Sequence, residues 1–172
     1  MLSSLIKNYT NDPYNHVSIS FNKELTKMYS FGRKYANSPW LGGFIKEDVH
    51  SKILKNANTL IFELEITNQQ YVRLQLDINY FKGQQQNLQY NFFGLLAMAL
   101  DIPLKRSDAY FCSEFIATLF VRAGIAPNLD PQFTSPMDLI IISNLKEIYR
   151  GSLDKYVQLV RSCNKEILQL NR

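Results

Sequence analysis

The stretch Ala109-Tyr110-Phe111-Cys112-Ser113-Glu114-Phe115-Ile116-Ala117 runs from a polar approach into an apolar, helix-periodic segment and places a cysteine at the point of change. Downstream, Phe115, Ile116, Leu119, Phe120 and Ala123 recur at spacings of three and four. That is one buried face of an α-helix, with Gly124 able to close it. Cys112 therefore falls on the first turn. There, unpaired backbone N–H groups and the positive end of the macrodipole favour the thiolate, and the same donors can receive an oxyanion. A nucleophile of this kind needs a base, and the chain holds two histidines, His16 and His50. His16 opens His16-Val17-Ser18-Ile19-Ser20-Phe21, an alternation that predicts a strand with Val17, Ile19 and Phe21 on one face and His16, Ser18 and Ser20 on the other. His50 sits in Lys46-Glu47-Asp48-Val49-His50, which reads as a solvated charged connection, so His16 is the candidate base.

Outward from these two segments, the first ten residues read as a short amphipathic helix stopped by Asn11-Asp12-Pro13. Met28-Tyr29-Ser30-Phe31-Gly32 is a second strand, forming a hairpin with the His16 strand. Pro39 and Gly42-Gly43 mark Tyr35 to Gly43 as a loop. Thr59 to Ile66 predicts a strand, and Thr67-Asn68-Gln69-Gln70 a capping box that opens a helix to about Gln85. Tyr90 to Leu100 predicts a second, strongly apolar helix ended by Pro103, after which Leu104 to Tyr110 forms the loop that delivers Cys112. Leu139 to Ile142 and Glu147 to Arg150 read as short strands, and Leu153 to Leu170 as a final amphipathic helix. The expected class is α+β: a small antiparallel sheet packed against helices, in a single domain over residues 1–172.

Composition narrows the function. With 46% hydrophobic residues, ten Tyr and eleven Phe, the chain can fill a core of its own. The net charge of +4 is spread among acidic residues without a basic block, which argues against nucleic-acid binding. Two cysteines and two histidines, all far apart in the sequence, lack the spacing of a metal site or a disulfide framework, so free thiols and no cofactor are expected. No apolar run approaches the roughly 20 residues of a membrane span, and the N-terminus lacks a signal-like core. A cytoplasmic protein is the expectation.

Tyr14-Asn15-His16-Val17-Ser18-Ile19, followed downstream by Tyr110-Phe111-Cys112-Ser113-Glu114-Phe115, resembles the circularly permuted NlpC/P60 superfamily of papain-like cysteine hydrolases, in which the His strand precedes the Cys helix. Phe92-Phe93-Gly94-Leu95-Leu96 and Thr134-Ser135-Pro136-Met137-Asp138-Leu139 look like stretches of its YiiX/YaeF-like branch. The resemblance implies Cys112 as nucleophile, His16 as general base and a polar third residue on the hairpin partner strand, a position that falls on Ser30. A hydroxyl orients an imidazole but stabilises imidazolium less than a carboxylate does. Glu63 and Glu65 on the Thr59 strand, and more weakly Tyr29, are the alternative orienters. Family members usually carry a strand ahead of the first helix, whereas this chain begins at that helix: it is either a fragment or a version with a shortened sheet.

The leading expectation is thus an amidase or peptidase working through an acyl-thioester. Lipid or thioester acyl transfer, as in the related lecithin:retinol acyltransferase branch, is an alternative in which aromatics around Phe92-Phe93 and Phe120 line an apolar channel. A non-catalytic binding module is another, motivated by a serine where a carboxylate is wanted together with the missing first strand. Tyr110 and Ser113, flanking Phe111-Cys112, are candidate substrate-binding residues. So is Arg33, whose guanidinium suits a substrate carboxylate and equally a surface ion pair. Glu114 receives no role, and Cys163 is expected to be a packing residue.

Overall fold

The computed structural model describes residues 14, 16–35, 38–52, 54–85, 89–90 and 109–170. Strand β1 (Ile19–Ser20) pairs antiparallel with β2 (Met28–Tyr35), which pairs antiparallel with β3 (Ser38–Lys46). The expected His16 strand is thus ordered into a ladder only at Ile19 and Ser20, but its alternation persists. Val17, Ile19 and Phe21 pack against the main core with Tyr29, Phe31 and Phe44. Ser30 lies opposite Ile45 and Gly32 opposite Gly43 on the other face.

Strand β3 corrects the loop expected over Tyr35 to Gly43. Pro39, Gly42 and Gly43 are residues that usually break a strand, yet β3 is an edge of the order β1-β2-β3, where a proline leaves no ladder bond unmade. Phe44 anchors β3, being 1% exposed. The ladder continues past its end through Glu47 N–H to the Met28 carbonyl at 2.8 Å.

β4 (Asn58–Leu64) pairs antiparallel with β7 (Leu145–Ser152) in a second sheet, so it does not extend the sheet of the His16 hairpin. Between them, α1 (Asn68–Gly83) opens with the expected reciprocal cap between Thr67 and Gln70. β5 (Gln89–Tyr90) and β6 (Ala109–Tyr110) form a two-residue parallel pair, so Tyr90 begins no helix, and the remainder of the expected Tyr90 to Leu100 helix lies outside the described residues. The N-terminal helix and Phe92-Phe93 lie outside them too. α2 (Cys112–Arg122) carries Cys112 on its first turn, and Gly124 ends it at φ +66°, a conformation that glycine adopts without strain. The strand expected over Leu139 to Ile142 is not formed: Leu139 ends the short helix α3 (Pro136–Leu139) and the chain turns after it, because Ser135 caps the Asp138 N–H and Pro136 sits at its first turn. α4 (Leu153–Leu170) closes the chain.

Two apolar clusters hold these elements. In the larger, Phe115 of α2 meets Phe31 and Phe81 at ring-centroid distances of 5.1 Å and Phe44 at 5.7 Å, which locks the first turn of α2 onto β2, β3 and α1. At the far end of α2, buried Asp77 of α1 lies 3.6 Å from Arg122 and 3.3 Å from Arg73, while Gln70 donates to the Gly124 carbonyl at 3.1 Å. The helix is fixed at both ends. In the smaller cluster Leu25, Met28 and Val49 pack with Leu153, Tyr156 and Val157 of α4. Cys163, expected to be a packing residue, is exposed. Among the described residues no helix is long and apolar enough to cross a membrane.

Candidate active site

Cys112 is the first residue of α2, after Phe111 in extended conformation. Phe111 has no side-chain acceptor with which to cap the helix, so the start is completed from the other side: the Phe111 N–H donates to Glu114 Oε2 at 3.3 Å. Burial pushes the Glu114 carboxyl up to about 7, against the pull of that N–H. The sulfur interacts electrostatically with the His16 ring and with the backbone N–H groups of Val17 and Ser113, which favour its anion. Val17 belongs to the segment leading into β1, an edge of its sheet, and its N–H is therefore available to a group arriving from α2.

His16 lies on the sheet face opposite the aromatic core. An atom built at the Cβ position of Gly32 would stand 3.5 Å from His16 Cε1, 3.4 Å from Ser30 Oγ and 3.2 Å from Ile45 Cδ1, so the ring rests over a position that has no side chain. His16 Nε2 is 2.8 Å from Glu47 Oε1, which leaves Nδ1 for the thiol. The stretch ahead of His16 is tied to β7 through Arg150, which donates to the Tyr14 hydroxyl at 3.4 Å.

Glu47 is the residue that sequence reasoning missed. It was placed in a solvated connection, yet its side chain is only 9% exposed. One carboxylate oxygen, Oε1, collects His16 Nε2, Ser30 Oγ at 2.5 Å and Ser18 Oγ at 3.4 Å. The signal that could have found it is indirect: once Pro39 and the glycine pair are allowed at a sheet edge, the chain through Phe44 can be a strand, and period two then puts Glu47 on the face of Ile45, opposite Phe44.

The charges follow from these contacts. Burial works against a protonated His16, but hydrogen bonds and charge interactions with Cys112 and Glu47 outweigh it and hold the imidazole up, at about 10. For Cys112 burial favours the neutral thiol, while the His16 hydrogen bond and charge, with the Val17 and Ser113 N–H groups, outweigh it and draw the thiol below its ordinary value. Glu47 is likewise drawn down despite burial, by His16 first and then by Ser30 and Ser18. The arrangement supports a thiolate–imidazolium pair backed by a carboxylate.

The other expected residues fall as follows. Ser30 is fully buried and contacts Glu47 rather than the imidazole, because its partner strand brings a carboxylate to the ring first. Glu63 is exposed and 3.7 Å from Lys23, and Glu65 is exposed; both lie in or beside the second sheet. Tyr29 points into the aromatic core, stacked on Phe44 at 5.8 Å. Ser113 is buried beside Cys112 and offers its N–H to the sulfur. Arg33 and Tyr110 are placed by backbone alone, opposite Gly42 and Tyr90. His50 is exposed and bonded to Arg161 at 2.9 Å. Among the described residues no group of His, Cys, Asp or Glu is arranged to hold a metal ion.

A cavity of about 480 Å³ lies behind Glu47, between the end of β3 and α4, floored by Leu25, Val49, Val157 and Val160. Neither His16 nor Cys112 lines it. Compared with family models, curated proteins and solved structures, the chain matches none of them.

Proposed function

We propose that the chain is a cysteine hydrolase that cleaves an amide bond through an acyl-thioester, and, on the Tyr14 to Ile19 and Tyr110 to Phe115 residues together with the order of His strand before Cys helix, a relative of the permuted NlpC/P60 hydrolases. The observation that carries the activity is His16 Nε2 standing 2.8 Å from Glu47 Oε1 on a ring that also interacts with the Cys112 thiol, three residues brought together from distant parts of the sequence.

In this reading the Cys112 thiolate attacks the carbonyl carbon, forming the C–S bond and moving the π electrons onto oxygen. The backbone N–H of Cys112, at the helix start, is a donor for that oxyanion. His16 imidazolium gives its proton to the leaving nitrogen as the C–N bond breaks. Water then enters, loses a proton to His16 and attacks the thioester, releasing the acid and the thiolate. Glu47 holds the ring with Nδ1 toward sulfur and balances its positive charge whenever the ring is protonated.

Glu47 answers one motive for a non-catalytic module, since a carboxylate does stand behind the histidine. The channel that would favour lipid acyl transfer draws no support from Phe120, which is packed in the core at 6% exposure.

The test is a chromogenic acyl donor, p-nitrophenyl acetate, with the intact protein followed by mass spectrometry. A burst of nitrophenol, an acetyl group on Cys112 and its later release into water are the expected results. Absence of an acyl adduct in wild type, or an adduct that survives in Cys112→Ala, would overturn the reading. Faster release to added amines than to water would reassign it to acyl transfer.

A further inference from the structure

The site contains more hydrogen-bonding groups than the reaction consumes. Three residues, His16, Ser18 and Ser30, converge on the same oxygen of Glu47. Ser30 is 0% exposed, a setting in which a hydroxyl is retained only if its hydrogen bond is made. It sits on β2 opposite Ile45, so its hydroxyl meets Glu47 from the neighbouring strand. Ser18 reaches both partners at once, 3.3 Å from His16 Nε2 and 3.4 Å from Glu47 Oε1.

We propose that Ser30 and Ser18 are positioning residues that act on Cys112 only through Glu47 and His16: their hydroxyls pin one carboxylate oxygen against His16 Nε2, fixing the ring with Nδ1 toward the sulfur and keeping the resting pair in its reactive, charged form. Neither serine touches substrate in this assignment. The inference rests on the hydrolase reading for its meaning but not for its measurement.

Geometry gives the reason. A carboxylate confined to 9% exposure has lost most of its water and must be compensated by donors, or it will bind a proton. His16 supplies one donor, and that donor is the group whose charge is at stake. Two hydroxyls donating to Oε1 share the compensation and stabilise the anion independently of the ring. They also restrict where Oε1 can sit. Without them the carboxylate can rotate away from Nε2, and the imidazole, seated over the bare Gly32 position, has no side chain there to hold it.

The experiment is the rate of Cys112 alkylation by iodoacetamide against pH, in a protein whose exposed Cys163 has been replaced by Ser, alongside thermal unfolding. Ser30→Ala should shift the midpoint of alkylation upward and lower the rate at neutral pH about three- to tenfold, the range set by the net worth of one typical hydrogen bond. Ser18→Ala, at the longer distance, should lower it about twofold and, being half-buried at the edge, serves as the variant that leaves the core intact. In a Glu47→Gln background both substitutions should be silent, because no carboxylate charge remains for the hydroxyls to hold. Retention of the Ser30 effect in that background would overturn the proposal. So would a Ser30→Ala protein that melts lower with an unchanged alkylation profile, since that would make Ser30 a packing residue. Failure of the hydrolase reading is read separately: a wild type that alkylates as described but forms no acyl adduct removes the reaction and leaves the network.

Discussion

The two faces of the β1–β2–β3 sheet are built from alternate residues of the same strands and do opposite work. One face presents Val17, Ile19, Phe21, Tyr29, Phe31 and Phe44 to the helices. The other presents His16, Ser18, Ser30 and Glu47, joined by hydrogen bonds. Burial of the aromatic face contributes stability and is indifferent to pH. The polar face holds charge in a place with little water, so its behaviour depends on protonation and on each partner being present. Because side chains alternate with period two, a strand can carry a core and a reactive site without either intruding on the other.

That division predicts that substitutions on the two faces separate activity from stability. Cys112→Ala should show the largest effect, removing acyl-adduct formation altogether while the chain remains folded by circular dichroism. An adduct that persists would mean the nucleophile is elsewhere. On the other face, Phe115→Ala should cost about 3–5 kcal/mol in denaturant unfolding, since Phe115 is fully buried against three rings. A loss below about 1 kcal/mol would show that the first turn of α2 is held by something other than this packing.

Glu47→Gln keeps an acceptor for His16 but deletes the charge. We expect turnover and neutral-pH alkylation to fall about 10- to 100-fold, one to two units of lost pKa perturbation shared by the pair, with a linked loss of stability of about 1–3 kcal/mol. A drop in stability with unchanged alkylation would place Glu47 among the structural residues.

The pH profile sharpens the same contrast. The Cys112 thiol is lowered, so thiolate should be present below the ordinary midpoint of about 8.5 and be lost as pH falls through the folded value. His16 is raised to about 10, so its proton, and the acid it supplies to the leaving group, should persist at neutral pH and be lost as pH rises toward 10. The corresponding stability contributions have the same signs: that of His16 is fully present below about 6.5 and lost through about 10, and that of Cys112 is present above about 8.5 and lost as the thiol protonates. A bell-shaped turnover profile with a broad neutral plateau is expected. An acid limb centred near 8.5 would mean that Cys112 behaves as an isolated thiol.

The smallest effects belong to residues that the polar face leaves out. Glu63→Gln and Cys163→Ser should each change turnover less than about twofold and stability by no more than about 0.5 kcal/mol, because Glu63 faces Lys23 in the open and Cys163 is exposed. A severe Glu63→Gln phenotype would move the orienting carboxylate to the second sheet.

Periodicity alone determined the Cys112 helix with its Gly124 end, the cap at Thr67, the final helix from Leu153, and the opposed faces of the His16 segment. Each depends on side chains within a few positions of one another, whose spacing acts through local geometry. Tertiary structure decided the rest. The strand Ser38–Lys46 contains a proline and a glycine pair, and only its place at the edge of a sheet makes them tolerable. Once that strand forms, its register against β2 brings Glu47, 31 residues from His16 in sequence, to 2.8 Å from the ring. Ser30 was legible as a polar residue on the partner strand, but whether it orients the histidine or its carboxylate depends on which group reaches Nε2 first. Sequence spacing fixes which face a residue occupies; which residues meet across strands is set by register, and register is settled by the packing of distant parts of the chain.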